Sequence, residues 1–118
     1  MTCLLELFES IRGYIEDQLK PNLRGLIGLM VTGYLPQNWV FVTEEETVTL
    51  SIDKKGNAVV ISEAVNNPDV TIEVDHKYLS TALRERQKPG FPPERIDVTL
   101  HTPKGKTAYG YLRKHVGL

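Results

Sequence analysis

The stretch between residues 56 and 83 constrains the fold more than any other part of the chain. It begins with a Gly-led β-branched run, passes through an Asn-Asn-Pro turn at 66–68, and then alternates apolar and polar side chains over residues 70–74. Alternation with a period of two is typical of a strand that buries one face. Asp75 follows, where its carboxylate can accept free N–H groups of a helical first turn. The stretch therefore predicts strand, turn, strand and one helix near 76–86.

Helix and strand patterns precede this stretch. Residues 4–19 carry apolar side chains at spacings of three and four, which predicts an amphipathic helix that ends near Pro21. Residues 22–35 fit either a second helix or an irregular apolar segment, because glycines interrupt them. The N-terminal region is therefore interpreted as a helix or a helical hairpin. Residues 39–42 and 47–53 have the composition and alternation of strands. Residues 53–57 fit a hairpin loop in which Gly56 takes the left-handed position.

The C-terminal region is interpreted as a β-hairpin. Residues 96–100 alternate, residues 102–105 (Thr-Pro-Lys-Gly) fit a type I turn, and residues 107–112 alternate again. We therefore expect an α+β fold with a mostly antiparallel sheet of about five or six strands, one inserted helix and a C-terminal β-hairpin. The length of 118 residues and the ordinary globular composition indicate a single domain over 1–118.

Composition excludes several classes of protein. The longest apolar run covers residues 26–31, whereas a membrane-spanning helix needs about 20 apolar residues. Glutamates interrupt the apolar N-terminus and no basic residue precedes it, which does not fit a signal peptide. The single cysteine, Cys3, cannot form a disulfide within the chain and suits a reducing compartment. We therefore expect a cytoplasmic protein.

No sequence motif of catalysis or cofactor binding occurs. The chain lacks a phosphate loop, a dinucleotide fingerprint, a nucleophile elbow and a CxxC pair. His76, His101 and His115 are too scattered for a metal site and are interpreted as solvated. The three glutamates at 44–46 are interpreted as a solvated loop that protects a sheet edge, and Cys3 as a structural thiol. We expect no enzyme activity, no cofactor and no metal.

The charge is distributed unevenly. Residues 1–75 carry 12 acidic and 5 basic side chains, and residues 76–118 carry 3 acidic and 9 basic ones. Such halves can attract each other within the fold or between the subunits of a homodimer, or the basic half can meet an anionic partner. Basic residues mixed with tyrosines can also bind single-stranded nucleic acid, although alternating tyrosines suit sheet packing too and the RNP-type signature is missing. The candidate residues for such a site are Lys104, Lys106, Tyr109, Tyr111 and Arg113.

The middle of the chain, from Trp39 to Leu83, resembles a sterol-carrier-protein-2-like (SCP2-like) domain. Residues 39–42, 48–53 and the Gly-led strand are similar to the opening antiparallel strands of that family. Residues 68–72 resemble its Pro-Asp-x-Thr strand start, and the helix that follows has similar apolar spacing. Members then typically have a Phe-x-x-Gly segment, a strand, a Gly-Asp step and a closing helix. Here Phe91 precedes two prolines, no Gly-Asp occurs, and a hairpin is predicted in place of the step into that helix.

The resemblance implies a non-enzymatic carrier with an apolar cavity between the sheet and the helices. A lipid tail would gain about 0.8 kcal/mol for each CH₂ group removed from water. The candidate lining residues, all of which also suit ordinary core packing, are Leu26, Met30, Phe41, Leu79, Leu83 and Phe91. The leading hypothesis is therefore a carrier for an apolar, lipid-like molecule. The alternatives are a homodimeric interaction module and a single-stranded nucleic-acid binder.

Overall fold

The computed structural model describes residues 3–19, 35–85 and 89–116, without the side chains of 15, 18, 19 and 111–116. Its elements, numbered within this part, are helix α1 (Leu4–Leu19), strands β1 (Gln37–Val42), β2 (Thr47–Ile52), β3 (Ala58–Ile61) and β4 (Val70–Val74), helix α2 (His76–Glu85), strand β5 (Ile96–Leu100) and helix α3 (Pro103–Val116). The fold class is α+β, as predicted. The prediction for residues 22–34 lies outside the described residues.

The five strands form one mixed sheet in the order β3-β2-β1-β4-β5. Only β1 and β4 run parallel, so the prediction of a mostly antiparallel sheet is confirmed. The connection from β3 to β4 passes across β2 and β1, because β4 lies on the far side of β1. The hydroxyl of Thr49 donates to the carbonyl of Glu63 in this connection at 2.6 Å, and Thr49 is fully buried. The connection therefore covers the middle of the sheet on the face away from the helices.

The hydrophobic core lies between the sheet and the helices. The apolar stripe of α1 packs over β2 and β3, and α1 also contacts α2 and α3. The rings of Phe8 on α1 and Phe41 on β1 lie 4.7 Å apart, centroid to centroid, and both are fully buried. Trp39 is paired with Leu50 on β2 and with Val70 on β4, which extends the same apolar layer across three strands.

The prediction of a C-terminal β-hairpin is wrong, because residues 103–116 form α3. The hydroxyl of Thr102 accepts the N–H of Gly105 at 2.9 Å, and its carbonyl accepts the N–H of Lys106 at 3.0 Å. Thr102 is thus an N-cap, and Pro103 occupies the first helical position, where its missing N–H costs nothing. The Thr-Pro-Lys-Gly run starts a helix instead of a turn. The closing helix, which the sequence analysis replaced with a hairpin, is present.

Two local predictions are confirmed. The carboxylate of Asp75 accepts the N–H of Tyr78 at 3.1 Å and caps α2. Gly56 has a φ of 83° in the turn between β2 and β3, the left-handed region that glycine adopts without steric cost. Both residues were identifiable because capping and tight turns depend on nearby chain neighbours.

Candidate functional site

An incompletely covered apolar strip lies on the helix side of β5. We call Ile96, Val98 and Leu100 the β5 strip; in the sheet they stand opposite residues 74, 72 and 70 of β4. Val70 is 0% and Val74 is 4% exposed, but Leu100 is 38% and Ile96 is 49% exposed. The helices therefore close over β4 and leave the apolar side chains of its neighbour partly in water.

Aromatic side chains from three elements belong to this end of the helix layer. Tyr78 on α2 and Tyr109 on α3 are half-buried and pack against the core, as Val98 does. In the segment that leads to β5, Phe91 meets Tyr78 edge to face, with the ring centroids 5.8 Å apart. The ammonium of Lys77 lies 5.3 Å from the centroid of Phe91. The described residues thus place large apolar surfaces and one cation on the elements that flank β5.

The start of β5 is fastened to Asp75. Its Oδ1 accepts the N–H groups of Glu94 at 3.0 Å and Arg95 at 3.3 Å, and its own N–H donates to the carbonyl of Arg95 at 3.3 Å. Because its Oδ2 caps α2 at the same time, one carboxylate holds both the helix and the strand in place. The sequence predicted only the capping contact.

The end of β5 is fastened to Asp69, which is 3% exposed. Its Oδ1 accepts the hydroxyl of Thr102 at 2.7 Å, its Oδ2 accepts the N–H of Asn38 at 2.9 Å, and its carbonyl accepts the N–H of His101 at 2.9 Å. A Cβ atom added to Gly105 would lie 2.5 Å from the carbonyl oxygen of Asp69. Any residue other than glycine at this position would therefore clash with the backbone of Asp69. Asp69 therefore joins β1, β4, β5 and α3.

This network gives a physical reason for the Pro-Asp-x-Thr pattern at the start of β4. The aspartate side chain satisfies backbone and hydroxyl donors at the junction of three strands and a helix cap, which an apolar residue of similar size could not do. The sequence did not indicate the partners of this aspartate, since Asn38 and Thr102 are 31 and 33 residues away.

The predicted lining residues divide into three groups. Phe41, Leu79 and Leu83 are buried members of the core cluster. Phe91 is half-buried and contacts Tyr78. Leu26 and Met30 lie outside the described residues. The β5 strip was missed, because alternation predicts a strand but cannot show that the helices leave it uncovered.

The residues proposed for nucleic-acid binding do not lie on a hairpin, since α3 replaces it. The ammonium of Lys104 donates to the carbonyl of Pro36 at 2.8 Å and lies 3.7 Å from Oδ1 of Asp69. The ring of Tyr109 packs 5.6 Å from Trp39, centroid to centroid. Lys106 is exposed. The side chains of Tyr111 and Arg113 lie outside the described part of the chain.

The glutamates at 44–46 surround His76, so the interpretation of His76 as solvated is wrong, whereas Glu44 and Glu45 are exposed as predicted. The ring Nδ1 of His76 lies 2.7 Å from Oε2 of Glu45 and its Nε2 lies 3.1 Å from Oε2 of Glu46, while the His76 side chain is only 14% exposed. The backbone N–H of His76 donates to Glu44 at 2.6 Å, and that of Leu4 donates to Glu46 at 2.9 Å. The cluster ties the beginnings of α1 and α2 to the β1–β2 loop.

Metal ligands and membrane spans were expected to be absent, and the following holds for residues 3–19, 35–85 and 89–116. None of the groups of His, Cys, Asp and Glu in these ranges could hold a metal ion. None of the helices in these ranges combines the length and apolar character needed to cross a membrane.

Comparisons with known proteins place the fold. No protein-family model matches the sequence, and no curated protein does. The stereoselective inverting sec-alkylsulfatase Pisa1 from Pseudomonas sp. aligns with a TM-score of 0.63 and 13% identity, over 99% of this chain but only 17% of that one. A ubiquinone synthesis protein, UbiJ-SCP2, aligns with a TM-score of 0.57 and 10% identity, over 92% of this chain and 95% of that one. The chain therefore has an SCP2-like fold, and these low identities show the fold alone.

Proposed function

We propose that this protein is a non-enzymatic carrier that binds an apolar, lipid-like molecule on the helix side of β5. The observation that carries the proposal is the β5 strip, where Ile96 and Leu100 stay partly in water beside fully buried neighbours on β4. A hydrocarbon chain lying along the strip would remove this surface from water, which is worth about 25 cal/mol for each Å² of apolar area. No precise polar contact is needed for such binding.

The structural neighbours support a ligand with a long hydrocarbon chain. One is named as a ubiquinone synthesis protein and one as an alkylsulfatase. Ubiquinone carries an isoprenoid tail and alkyl sulfates carry an alkyl chain, so both names involve molecules with an extended apolar portion. We infer a fatty acid or an isoprenoid lipid as the class of ligand for this chain. Because it spans only 17% of the sulfatase, that enzyme's reaction is not part of the proposal.

The proposal includes no catalytic step. In the cluster around His76, the carboxylates of Glu44 and Glu46 accept backbone N–H groups, which gives them a structural role between α1 and α2. The cytoplasm is the proposed location, because a single cysteine and a fold without disulfides suit a reducing compartment.

Native mass spectrometry of freshly purified protein, followed by solvent extraction, tests the proposal first. We expect a stoichiometric extra mass that leaves with the solvent and that reappears when a fatty acid or an isoprenoid quinone is added back. A protein that carries no extra mass and takes up neither probe would contradict the carrier function.

Two variants of one strand locate the site. Leu100→Asp places a charge on the β5 strip, and Thr99→Asp places the same charge on the opposite, polar face of β5. Because a charge is costly to cover with hydrocarbon, Leu100→Asp should raise the Kd for a fluorescent fatty acid by about tenfold or more. Thr99→Asp should leave it near the wild-type value. Equal effects of the two substitutions would remove the strip from the site.

A further inference from the structure

Among the residues that the structure describes, no strand pairs with the outer side of β5, so this side is an open sheet edge. β5 is the last strand in the order β3-β2-β1-β4-β5, and four of its five residues are exposed, with Val98 half-buried. An open edge presents a row of N–H and C=O groups that can pair with another strand. This edge also has the apolar β5 strip beside it, so a strand that paired here would gain side-chain contacts as well as backbone hydrogen bonds.

The hydrogen bonds to β4 show which backbone groups of β5 point outward. The N–H of His101 donates to the carbonyl of Asp69, and the carbonyl of Arg95 accepts the N–H of Asp75. The backbone groups of both residues therefore point toward β4. Backbone groups alternate in direction along an antiparallel strand. The outward N–H and C=O groups on β5 are therefore those of the β5 strip, the same three residues whose side chains face the helix layer.

The sequence of β5 is complementary to itself when it is reversed. Ile-Asp-Val-Thr-Leu alternates apolar and polar residues symmetrically about Val98. In an antiparallel pair centred on Val98, Ile96 of one copy stands opposite Leu100 of the other, and the two Val98 residues face each other. In all three of these pairs the backbone N–H and C=O groups point away from β4, so each pair can form two N–H···O=C bonds between the subunits. The helix layers of the two copies lie on the same side of the joined sheet.

The charged residues favour this register over its neighbours. With Val98 at the centre, Asp97 stands opposite Thr99 and Arg95 stands opposite His101, so no like charges face each other directly. A pair centred on Asp97 would oppose two carboxylates, which is destabilising. A pair centred on Thr99 would place Ile96 opposite Thr102 and lose an apolar contact. Each Asp97 also keeps its own Arg95 at 3.5 Å, which reduces repulsion across the interface.

We propose that two copies of this chain form a dimer by antiparallel pairing of their β5 edges, with Val98 at the twofold axis. The two sheets become one sheet of ten strands, and the two β5 strips become one continuous apolar surface shared by both subunits. A five-residue edge buries less surface than the roughly 1,200 Å² that a standard interface buries, so the dimer should depend on concentration. The proposal stands on the edge itself and does not need the carrier function.

Sedimentation of delipidated protein over a concentration series is the first test. We expect the mass to rise from that of the 13.3 kDa monomer to twice that value, and we expect added salt not to reverse the rise, since the contact is apolar and backbone-mediated. A monomer at every concentration would overturn the proposal. A dimer that dissociates in salt would also overturn it and would point to pairing of the acidic and basic surfaces.

Matched substitutions at the two edges of the sheet locate the contact. Ile96→Lys and Val59→Lys place the same charge at residues of similar exposure, 49% on β5 and 54% on β3. Ile96→Lys should raise the dimer dissociation constant by about tenfold or more, since two lysines enter each interface. Val59→Lys should leave it unchanged. If Val59→Lys disrupts the dimer and Ile96→Lys does not, the subunits associate through the β3 edge and the proposed β5 contact is wrong.

A backbone substitution and cysteine crosslinking test the pairing itself. Val98→Pro removes an outward N–H and no bond to β4, so the fold should persist, as circular dichroism can verify, while the dimer is lost. In a Cys3→Ser background, oxidation should crosslink Val98→Cys faster than Asp97→Cys or Thr99→Cys. Directly opposed residues in such a pair lie about 5.5 Å apart between Cα atoms, within disulfide range. Fastest crosslinking at either neighbour would overturn the register.

Discussion

The two edges of the sheet are held in different ways. At the β3 edge, α1 packs over β2 and β3, and the apolar side chains of these strands that face it are largely buried. At the β5 edge, the helices leave the β5 strip partly exposed, and two aspartates fasten the ends of the strand. Both edge strands pair with a neighbouring strand. Burial under α1 adds most to this pairing at the β3 edge, and hydrogen bonds accepted by two aspartates add most to it at the β5 edge.

This difference has a consequence for ligand binding. A strand that depends on packing cannot lose its cover without losing stability, because each buried large side chain contributes a few kcal/mol. A strand fixed at both ends by Asp75 and Asp69 can keep its position while its side chains remain available. The polar fastening of β5 is thus what permits an apolar surface to stay open beside it.

The largest expected effect comes from shortening a buried leucine on α1, the helix that packs over β2 and β3. Leu4 on α1 is completely buried, so Leu4→Ala should lower the free energy of unfolding by about 3 kcal/mol, through lost burial and an unfilled cavity. Leu100→Ala makes the same chemical change at the open edge and should cost less than about 1 kcal/mol, because this side chain is already partly in water. Urea unfolding at low protein concentration measures both.

The comparison between the edges fails if the two leucine substitutions cost the same. Equal costs of about 3 kcal/mol would mean that Leu100 is covered in solution. Low protein concentration matters here, since association through β5 would bury the same side chain. A larger cost for Leu100→Ala at high concentration alone would therefore indicate burial between subunits.

The next effect concerns the fastening at the end of β5. Asp69→Asn keeps the size of the side chain but replaces one acceptor oxygen with an amide that faces the N–H of Asn38 or the hydroxyl of Thr102. The cost should be about 2 kcal/mol, since hydrogen bonds to a charged, buried acceptor are among the stronger ones. Hydrogen exchange should accelerate first in the first turn of α3 and at His101. The amide exchange of α1 should change only with global stability.

Asp97→Asn is the matched control for this substitution. Asp97 lies on β5 itself, and its exposed side chain pairs only weakly with Arg95, at 3.5 Å. An exposed pair of this kind contributes less than about 1 kcal/mol. If Asp97→Asn destabilised the protein as much as Asp69→Asn, general charge and not the buried network would hold this end of the strand.

The elements that the sequence predicted well are those defined by close neighbours in the chain. The helix at residues 4–19, the strands from 47 to 74 and the cap at Asp75 follow from periodicity and local hydrogen bonding. The C-terminal helix was predicted wrongly because Thr102 serves as well at the start of a helix as in a turn, and Thr107 to Leu112 alternates by coincidence. Its first turn is fixed by Asp69, a contact across 33 residues that no local pattern contains.

The candidate site was predictable only in its class. The resemblance indicated an apolar surface beside the sheet, but Phe41, Leu79 and Leu83 turned out to be core residues. Which strand lies at the edge is decided by the strand order, and the strand order depends on the crossover from β3 to β4. The sequence of residues 96–100 therefore predicts a half-buried strand, but not that this strand lies at the edge of the sheet.

The smallest effect tests whether an aspartate fastens the packed edge too. Asp53 in the β2–β3 turn accepts N–H groups of Lys55 at 2.8 Å and Asn57 at 2.9 Å, and these bonds, that of Asn57 first, lower the pKa of its carboxyl. A lowered pKa stabilises the fold above the unfolded pKa, and this contribution disappears as the pH falls through the folded value. Asp53→Asn should lower Tm by about 2 °C at neutral pH, a small loss since exposure weakens the bonds. It should lower Tm less at an acid pH below the folded pKa, where the carboxyl is protonated in the folded and in the unfolded state. An equal loss at both pH values would assign the effect to turn geometry rather than to the carboxylate. A loss as large as that of Asp69→Asn would show that hydrogen bonds accepted by aspartates stabilise both edges.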